Sequence, residues 1–258
     1  MEILKTQMLK DHYQILGSRV DPTSYPEATA QILAWGSELT GRYVCAANVH
    51  MVMEAFDSPE FASIVNRADL VTPDGMPLVW SLRALGAHRQ QRVYGPDLTL
   101  HVIKAASDGR VPVGFYGGDP GTLQRMMIAL QTSFPELKVA YQYSPPFRSL
   151  TSKEDTKIVS EILASGVRIL FVGLGCPKQE RWMFDHREKL PLVMLGVGAA
   201  FDFIGGTKQQ SPGWMQRIGL EWLFRFFQEP GRLWRRYLVQ NPRFIWFIIW
   251  QLLGSKRS

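Results

Sequence analysis

A chain of 258 residues, 46% of them hydrophobic, can bury the core of one large α/β domain, alone or with an appendage, and is too apolar for an intrinsically disordered chain. The net charge of +6 lies in the tail: Trp214–Ser258 carries eight Lys/Arg against only Glu221 and Glu229, which leaves the remainder neutral. The two cysteines, Cys45 and Cys176, are too few for a disulfide framework, so a reducing, cytosolic setting is expected. Charges interrupt the first 20 residues where a signal peptide needs an unbroken apolar run, and no secretion signal is expected.

In chain order, residues 12–41 read as a strand or turn followed by a helix over Pro26–Glu38, with Ile32, Leu33 and Trp35 apolar. Arg42–Ala47 is a short apolar strand that stops at Asn48, and Val49–Asn66 reads as one helix. Ala68–Trp80 reads as a strand, a turn at Thr72–Gly75 and the start of an apolar helix. Pro96 is placed to begin the next helix. Val111–Tyr116, Lys138–Tyr143, Arg168–Gly173 and Leu192–Gly196 are further strands, separated by helices through Phe134, over Ser152–Ala164 (Ser152 as N-cap) and to Leu190. Strands that alternate with helices and are apolar throughout, such as Ile169–Val172, predict a Rossmann-like, mostly parallel sheet with helices on both faces.

Three of these strands end in glycine turns, at Gly117–Thr122, Gly173–Lys178 and Gly196–Ala200. Glycine lets backbone N–H groups approach a phosphate, and the following helix N-terminus adds a favourable dipole. Each turn taken singly is explained better by a tight turn or helix packing; three at one sheet edge favour a nucleotide site. The P-loop spacing is absent, and Gly196-Val197-Gly198 fails the dinucleotide fingerprint because Phe201 stands at its third glycine position. No Asp-x-Asp pair and no metal-ligand spacing occurs, so phosphate charge would fall to dipoles, to Lys178 and to the arginines of the tail.

Two carboxylates follow strands. Asp74, before Gly75, is read locally as a helix cap or Asx-turn, or else as a general base at the sheet edge. Asp202 has the same two readings, a turn cap or a ligand for ribose hydroxyls. Asp69 reads as a structural hydrogen-bonding group, and His50, His88, His101 and His186 as structural or surface groups.

The tail, residues 211–258, is read as a unit distinct from an α/β core at 1–210. Arg217, Glu221, Arg225 and Gln228 form one polar stripe within Trp214–Gln228, Pro230 marks a break, and Asn241-Pro242 starts a second apolar stretch. A helical pair packed on the core or a dimer interface would look like this, which leaves a homo-oligomer open. So would a monotopic anchor on anionic membrane, with aromatics at the headgroup boundary and basic residues facing lipid. The longest apolar run, Phe244–Trp250, is far short of the roughly 20 residues of a spanning helix.

Asn48, Ala68-Asp69-x-x-x-x-Asp74-Gly75, Phe115-Tyr116-Gly117-Gly118, Gly173-Leu174-Gly175-x-Pro177-Lys178-Gln179-Glu180 and Gly196-Val197-Gly198-x-x-Phe201-Asp202 occur in this order. Over residues 12 to 250 the chain resembles the bacterial WecG/TagA/CpsF glycosyltransferases (glycosyltransferase family 26). The resemblance implies a GT-E type fold with a C-terminal helical membrane-binding appendage. It implies inverting, metal-independent transfer from a UDP-sugar to a polyprenyl-diphosphate-linked sugar acceptor, in cell-surface polysaccharide or teichoic-acid-like polymer synthesis, with no cofactor. Localisation would be cytoplasmic, peripheral on the inner face of the cell membrane.

Carried over residue by residue, Asp74 matches the base, Asn48 and Gln179 match polar active-site residues, and Arg225, Arg232 and Arg235 match the arginines an appendage sends to the site. Tyr116, Gly117, Gly118, Gly175, Lys178, Gly198, Ala199 and Asp202 fall on the UDP-sugar side. Ala46 departs from the Thr that members often carry two residues before the Asn. Two other classes remain from the residues alone: a nucleotide-dependent oxidoreductase, which lacks its fingerprint, and a non-catalytic membrane-associated partner of a polysaccharide assembly complex. The basic charge is interleaved with large apolar residues and no nucleic-acid motif is present, so nucleic acid is not an expected partner.

Overall fold

Strands that are apolar on every residue need cover on both faces, and the chain supplies it with helices. The computed structural model describes residues 12–255; the first eleven residues, part of the stretch read for a secretion signal, and the last three, with Lys256 and Arg257, lie outside the described residues. A hairpin of β1 (Tyr13–Ile15) and β2 (Ser18–Val20) turns at Leu16-Gly17, both at positive φ. Next come α1 (Tyr25–Glu38), β3 (Arg42–Ala47), α2 (Val49–Asp57), α3 (Pro59–Asn66), β4 (Leu70–Pro73), α4 (Met76–Ala84) and α5 (Gly95–Asp108). The middle of the chain holds β5 (Val113–Gly117), α6 (Pro120–Ser133), β6 (Val139–Tyr143), α7 (Ser152–Ser165), β7 (Ile169–Gly173), α8 (Lys178–His186), β8 (Val193–Gly196) and α9 (Ala200–Ile204). The tail contains α10 (Gly213–Arg217), α11 (Glu221–Gln228), α12 (Pro230–Trp234), a π-helical segment (Arg235–Gln240) and α13 (Asn241–Ser255).

The main sheet has six strands in the order β4-β3-β8-β7-β5-β6, every pair parallel. The chain enters at β3, steps outward to β4, crosses to β5 and β6 on the far side, and returns with β7 and β8 to fill the gap. All C-terminal strand ends therefore face one edge, where ligands of open α/β sheets bind. One face is covered by α2, α3, α4, α7 and α8, through residues such as Met51, Phe61, Leu78, Ile162 and Met183. The other is covered by α1, α5, α6 and α9, through Ile32, Val102, Met126 and Phe201.

Three local expectations are corrected. Val49–Asn66 is two helices, because Ser58 accepts from Phe61 N as the cap of a new helix and Pro59 cannot continue the old one. The cap of α7 is Thr151, not Ser152: Thr151 and Glu154 form a reciprocal capping box. The single polar stripe of Trp214–Gln228 is split, since Gly219 adopts φ +76 between α10 and α11. A Cβ there would lie 2.8 Å from the Trp80 ring, so the turn is seated directly on α4. Asn241-Pro242 starts the second apolar stretch as expected, at the first residues of α13. Pro242 lacks the N–H of a regular ladder, and the chain passes through the π-helical segment before it into α13.

The last helix joins the body. Phe244 and Ile248 of α13 are buried in the first core cluster, and Phe247 packs on Phe56 with ring centroids 4.7 Å apart. Arg243 makes a bidentate pair with Asp57 at 2.7 and 2.8 Å. Gln251 bonds both ways with the β1–β2 hairpin, accepting from Leu16 N at 2.8 Å and donating to Gln14 O at 2.6 Å. Among the described residues no helix is long and apolar enough to cross a membrane.

Candidate active site

The strand ends and the tail enclose a cleft of about 1780 Å³. Its floor depends on close packing of β5 and β7. Gly117 pairs with Gly173, at φ +129, and a Cβ on it would lie 2.5 Å from the Gly173 backbone. Gly117 thus works below the floor, while Gly118, Gly175, Gly198 and Ala199 line the cleft itself.

Asp74 is not the cap of its own helix. The N-cap of α4 is Gly75, with no side-chain bond, and the Asp74 carboxylate instead reaches across the sheet edge. Oδ1 accepts from Gly95 N, the first residue of α5, at 2.8 Å, and Oδ2 accepts from Asn48 Nδ2 at 3.3 Å. Oδ1 is thus well satisfied and Oδ2 only loosely held, on a group that keeps a part-exposed face to the cleft. Burial pushes the Asp74 pKa up, and Glu221 adds to this; Arg92, the Gly95 N–H and Asn48 oppose it.

Asn48 caps α2, its Oδ1 accepting from Met51 N at 3.3 Å, and the same oxygen accepts from Arg236 at 3.3 Å. One side chain therefore joins a helix cap, the Asp74 carboxylate and an arginine of the tail. Ala46 lines the cleft nearby, in the position where a Thr hydroxyl would have stood.

Gln179 is buried in α8 and ties two glycine turns together: its Oε1 accepts from Gly175 N and Gly198 N, each at 3.1 Å. Its Nε2 donates to Glu180 Oε1 at 2.7 Å. Glu180 is fully buried with Oε2 unpartnered, and burial pushes its pKa up to about 7 despite the bonds from Gln179 and Cys176.

Other expected residues are placed unevenly. The Tyr116 ring is buried and stacks on Trp182 at 4.4 Å, and Trp182 stacks on His186 at 4.2 Å. Lys178 is exposed at the start of α8 and lines the cleft. Asp202 holds Lys208 at 3.0 Å and accepts from Thr207 Oγ1 at 3.3 Å; Lys208 reaches on to Glu229 of the tail at 3.6 Å. Arg225 is largely buried, 3.9 Å from Glu221 and within electrostatic reach of Asp74. Arg232 pairs with Glu229, and Arg235 stands over Trp234 at 5.9 Å; both are exposed at the rim. Asp69 is the structural group expected, accepting from Tyr43 N, Arg42 and Arg187.

Four further groups at the site escaped sequence reasoning. Arg92 donates to the Asp74 carbonyl and to Glu221 Oε2 (2.5 Å), Tyr94 donates to Glu221 Oε1 at 3.0 Å, and Arg236 reaches Asn48. A signal for Glu221 existed: one of two acids in a strongly basic tail has many arginines to pair with. Arg92 and Tyr94, just before the Pro96 helix start, carried none that single-sequence reading can weigh. Among the described residues no three His, Cys, Asp or Glu side chains cluster as metal ligands would.

The sequence profile described as Glycosyl transferase WecG/TagA/CpsF family matches residues 13–258. The chain is 29% identical over 206 residues to the N-acetylglucosaminyldiphosphoundecaprenol N-acetyl-beta-D-mannosaminyltransferase of Bacillus spizizenii, an overlap of 80% of this chain and 77% of that enzyme. To the enzyme of the same name from Bacillus subtilis it is 25% identical over 199 residues, 77% and 75% of the two chains. Neither the oxidoreductase reading nor that of a non-catalytic partner agrees with these matches. With a matching profile that runs from β1 through the tail, the chain belongs to the WecG/TagA/CpsF family and is a glycosyltransferase.

Proposed function

We propose that this enzyme transfers a sugar of the N-acetylmannosamine type, or a related hexose or uronic acid, from its UDP conjugate to a polyprenyl-diphosphate-linked sugar, with inversion and without a metal ion. The names of the two relatives support the acceptor class and the N-acetylmannosaminyl group. The observation that carries the mechanism is Asp74: a carboxylate at the cleft with one oxygen anchored by Gly95 N–H and the other nearly free. In the reaction the acceptor hydroxyl oxygen bonds to the anomeric carbon as the bond to the diphosphate oxygen breaks on the opposite face. Asp74 Oδ2 takes the hydroxyl proton. The charge that develops on the leaving UDP is met by Lys178 and by Arg225 and Arg236, while the Gly175 and Gly198 N–H groups can exchange the Gln179 oxygen for a phosphate oxygen.

Residues 211–258 act in this reading as an appendage with two tasks. The first is to bring arginines to the cleft; Arg225 and Arg236 are seated for it, and Arg232 and Arg235 stand at the rim. The second is to rest peripherally on the inner face of the cell membrane, where a polyprenyl-linked acceptor resides. Ile245, Trp246, Ile249, Trp250 and Leu253 form an exposed apolar face on α13, and Trp214, Ile218, Phe227 and Trp234 elsewhere in the tail are exposed too. The deciding experiment incubates the enzyme with a panel of UDP-sugars and a short-chain prenyl-diphosphate sugar and reads products by mass spectrometry. Absence of any transfer product across the panel would sink the proposal.

A further inference from the structure

Among the polar contacts by which the tail meets the catalytic edge, that of Glu221 gives a role to a residue outside the motifs. We propose that Glu221 is a positioning residue for transfer: carried in on α11, it draws Arg92 away from the Asp74 carboxylate and fixes it against the Asp74 backbone, so that Oδ2 stays open to the acceptor. The proposal rests on Asp74 being the base.

Arg92 is 15% exposed and Glu221 13% exposed, so both charges are largely withdrawn from solvent and each needs a partner. The Arg92 guanidinium is fixed from three sides. Nε donates to the Asp74 carbonyl, a terminal nitrogen donates to Glu221 Oε2 at 2.5 Å, and the group lies 3.9 Å over the Tyr94 ring. Glu221 is fixed in turn by the Tyr94 hydroxyl at 3.0 Å on its other oxygen. All the Arg92 contacts to Asp74 that the structure forms go to the backbone, although the carboxylate belongs to the same residue and attracts the same cation.

Glu221 therefore competes with Asp74 for Arg92. Without it, the remaining anion beside Arg92 is the Asp74 carboxylate, and an arginine bound to Oδ2 would hold the base in its ionised, weakly basic form. The groups that face Asp74 are Arg92 and Tyr94 from the segment before α5, the Gly95 N–H of α5, Asn48 at the start of α2, Glu221 and Arg225 of α11, and Arg236 of the π-helical segment. Glu221 is the acid among these that pushes the Asp74 pKa up, against the pull of Arg92. Docking of α11, held by the Gly219 turn on Trp80, thereby prepares the base.

The test compares wild type, Glu221→Gln, Glu221→Asp and Asp74→Asn in the full-length enzyme. The pH dependence of kcat/KM and a carbon-detected NMR titration of the Asp74 carboxyl, assigned through Asp74→Asn, are read together. In Glu221→Gln the Asp74 titration and the acid limb of the profile are expected to move to lower pH together, with kcat lowered by up to about 10²-fold through loss of alignment. Glu221→Asp keeps the charge and is expected to leave the limb near its wild-type position. If the Asp74 titration stays in place in Glu221→Gln while Asp74→Asn is inactive, the positioning role is overturned and the base assignment stands. Transfer by Asp74→Asn at a near-wild-type rate overturns the base assignment and the proposal with it.

Discussion

Two carboxyl groups, Asp74 in the cleft and Glu180 buried behind it on α8, have been pushed in the same direction by burial, and they do different work. Asp74 keeps an open oxygen and a part-exposed face; Glu180 is sealed, with one oxygen on Gln179 and the other unpartnered. Replacement of Asp74 by Asn keeps the bond from Gly95 and removes the proton acceptor. We expect folding and UDP binding to persist and transfer to fall on the order of 10²–10⁴-fold, read by thermal shift with UDP and by the mass-spectrometric assay.

For Glu180 the consequence is one of stability. Its folded pKa, about 7, lies above its unfolded value. Between about pH 4.5 and 7 the folded state therefore holds a proton that the unfolded state has released, and stability falls as pH rises through that window. Glu180→Gln removes the titration while keeping an oxygen for Gln179. Its stability relative to wild type should rise by on the order of 3 kcal/mol between pH 4 and 8, measured by urea denaturation at both ends; a constant difference would show that Glu180 does not titrate there.

The same two residues show what a sequence discloses. The spacing of Asp74 and Gly75 suggested a local cap, because local sequence can weigh only local partners. Its actual partners, Gly95 and Asn48, are 21 and 26 residues away and reach it because α5 and α2 begin at the same sheet edge. Glu180 appeared within a motif without a role, since the burial of its carboxyl is a property of packing between β8, β3 and α8.

At the scale of elements, the strands and most helices were legible because apolar runs and glycine turns are strong signals, and Ile169–Val172 is a strand buried as expected. The helix that spanned Val49–Asn66 in the sequence reading was divided by one Ser-Pro pair, and a run of apolar periodicity does not reveal such a cut. α13 was harder still, because Phe244–Trp250 is apolar without interruption and periodicity cannot say which side faces in. The structure assigns Phe244 and Ile248 inward and Trp246 and Trp250 outward.

This division predicts a separation of effects. Phe244→Ala should cost about 3–5 kcal/mol of stability, measured by denaturant unfolding. Trp246→Glu with Trp250→Glu should leave the midpoint unchanged and reduce binding to anionic liposomes. If the double variant bound liposomes as wild type does, α13 would not be the membrane face.

At the scale of the whole molecule, the basic tail packs into the core of the neutral body through Phe244 and Ile248. Removal of the chain after Gln210 would take Phe244 and Ile248 out of the core, so point variants on the exposed face test membrane binding more cleanly than truncation does. Surface charges are screened by salt, and each Lys/Arg near an anionic surface contributes about 1 kcal/mol. Liposome binding should therefore weaken steadily as salt is raised and persist in part through the aromatics, a dependence that co-sedimentation at several salt concentrations would show. Binding indifferent to salt would leave the aromatic face as the whole of the attraction.

The amide of Gln179 has an implication for how a donor is received. Its oxygen accepts from both Gly175 N–H and Gly198 N–H, so these two donors are satisfied within the protein. A diphosphate oxygen that enters between the two turns exchanges one acceptor for another, and an exchange of hydrogen bonds is close to neutral in free energy. Affinity at that point is then governed by charge, through Lys178 and the tail arginines, and neutral nucleosides gain little from the glycine turns. A cleft that receives a UDP-sugar in this way would distinguish a nucleotide from its dephosphorylated remnant by electrostatics before it did so by shape.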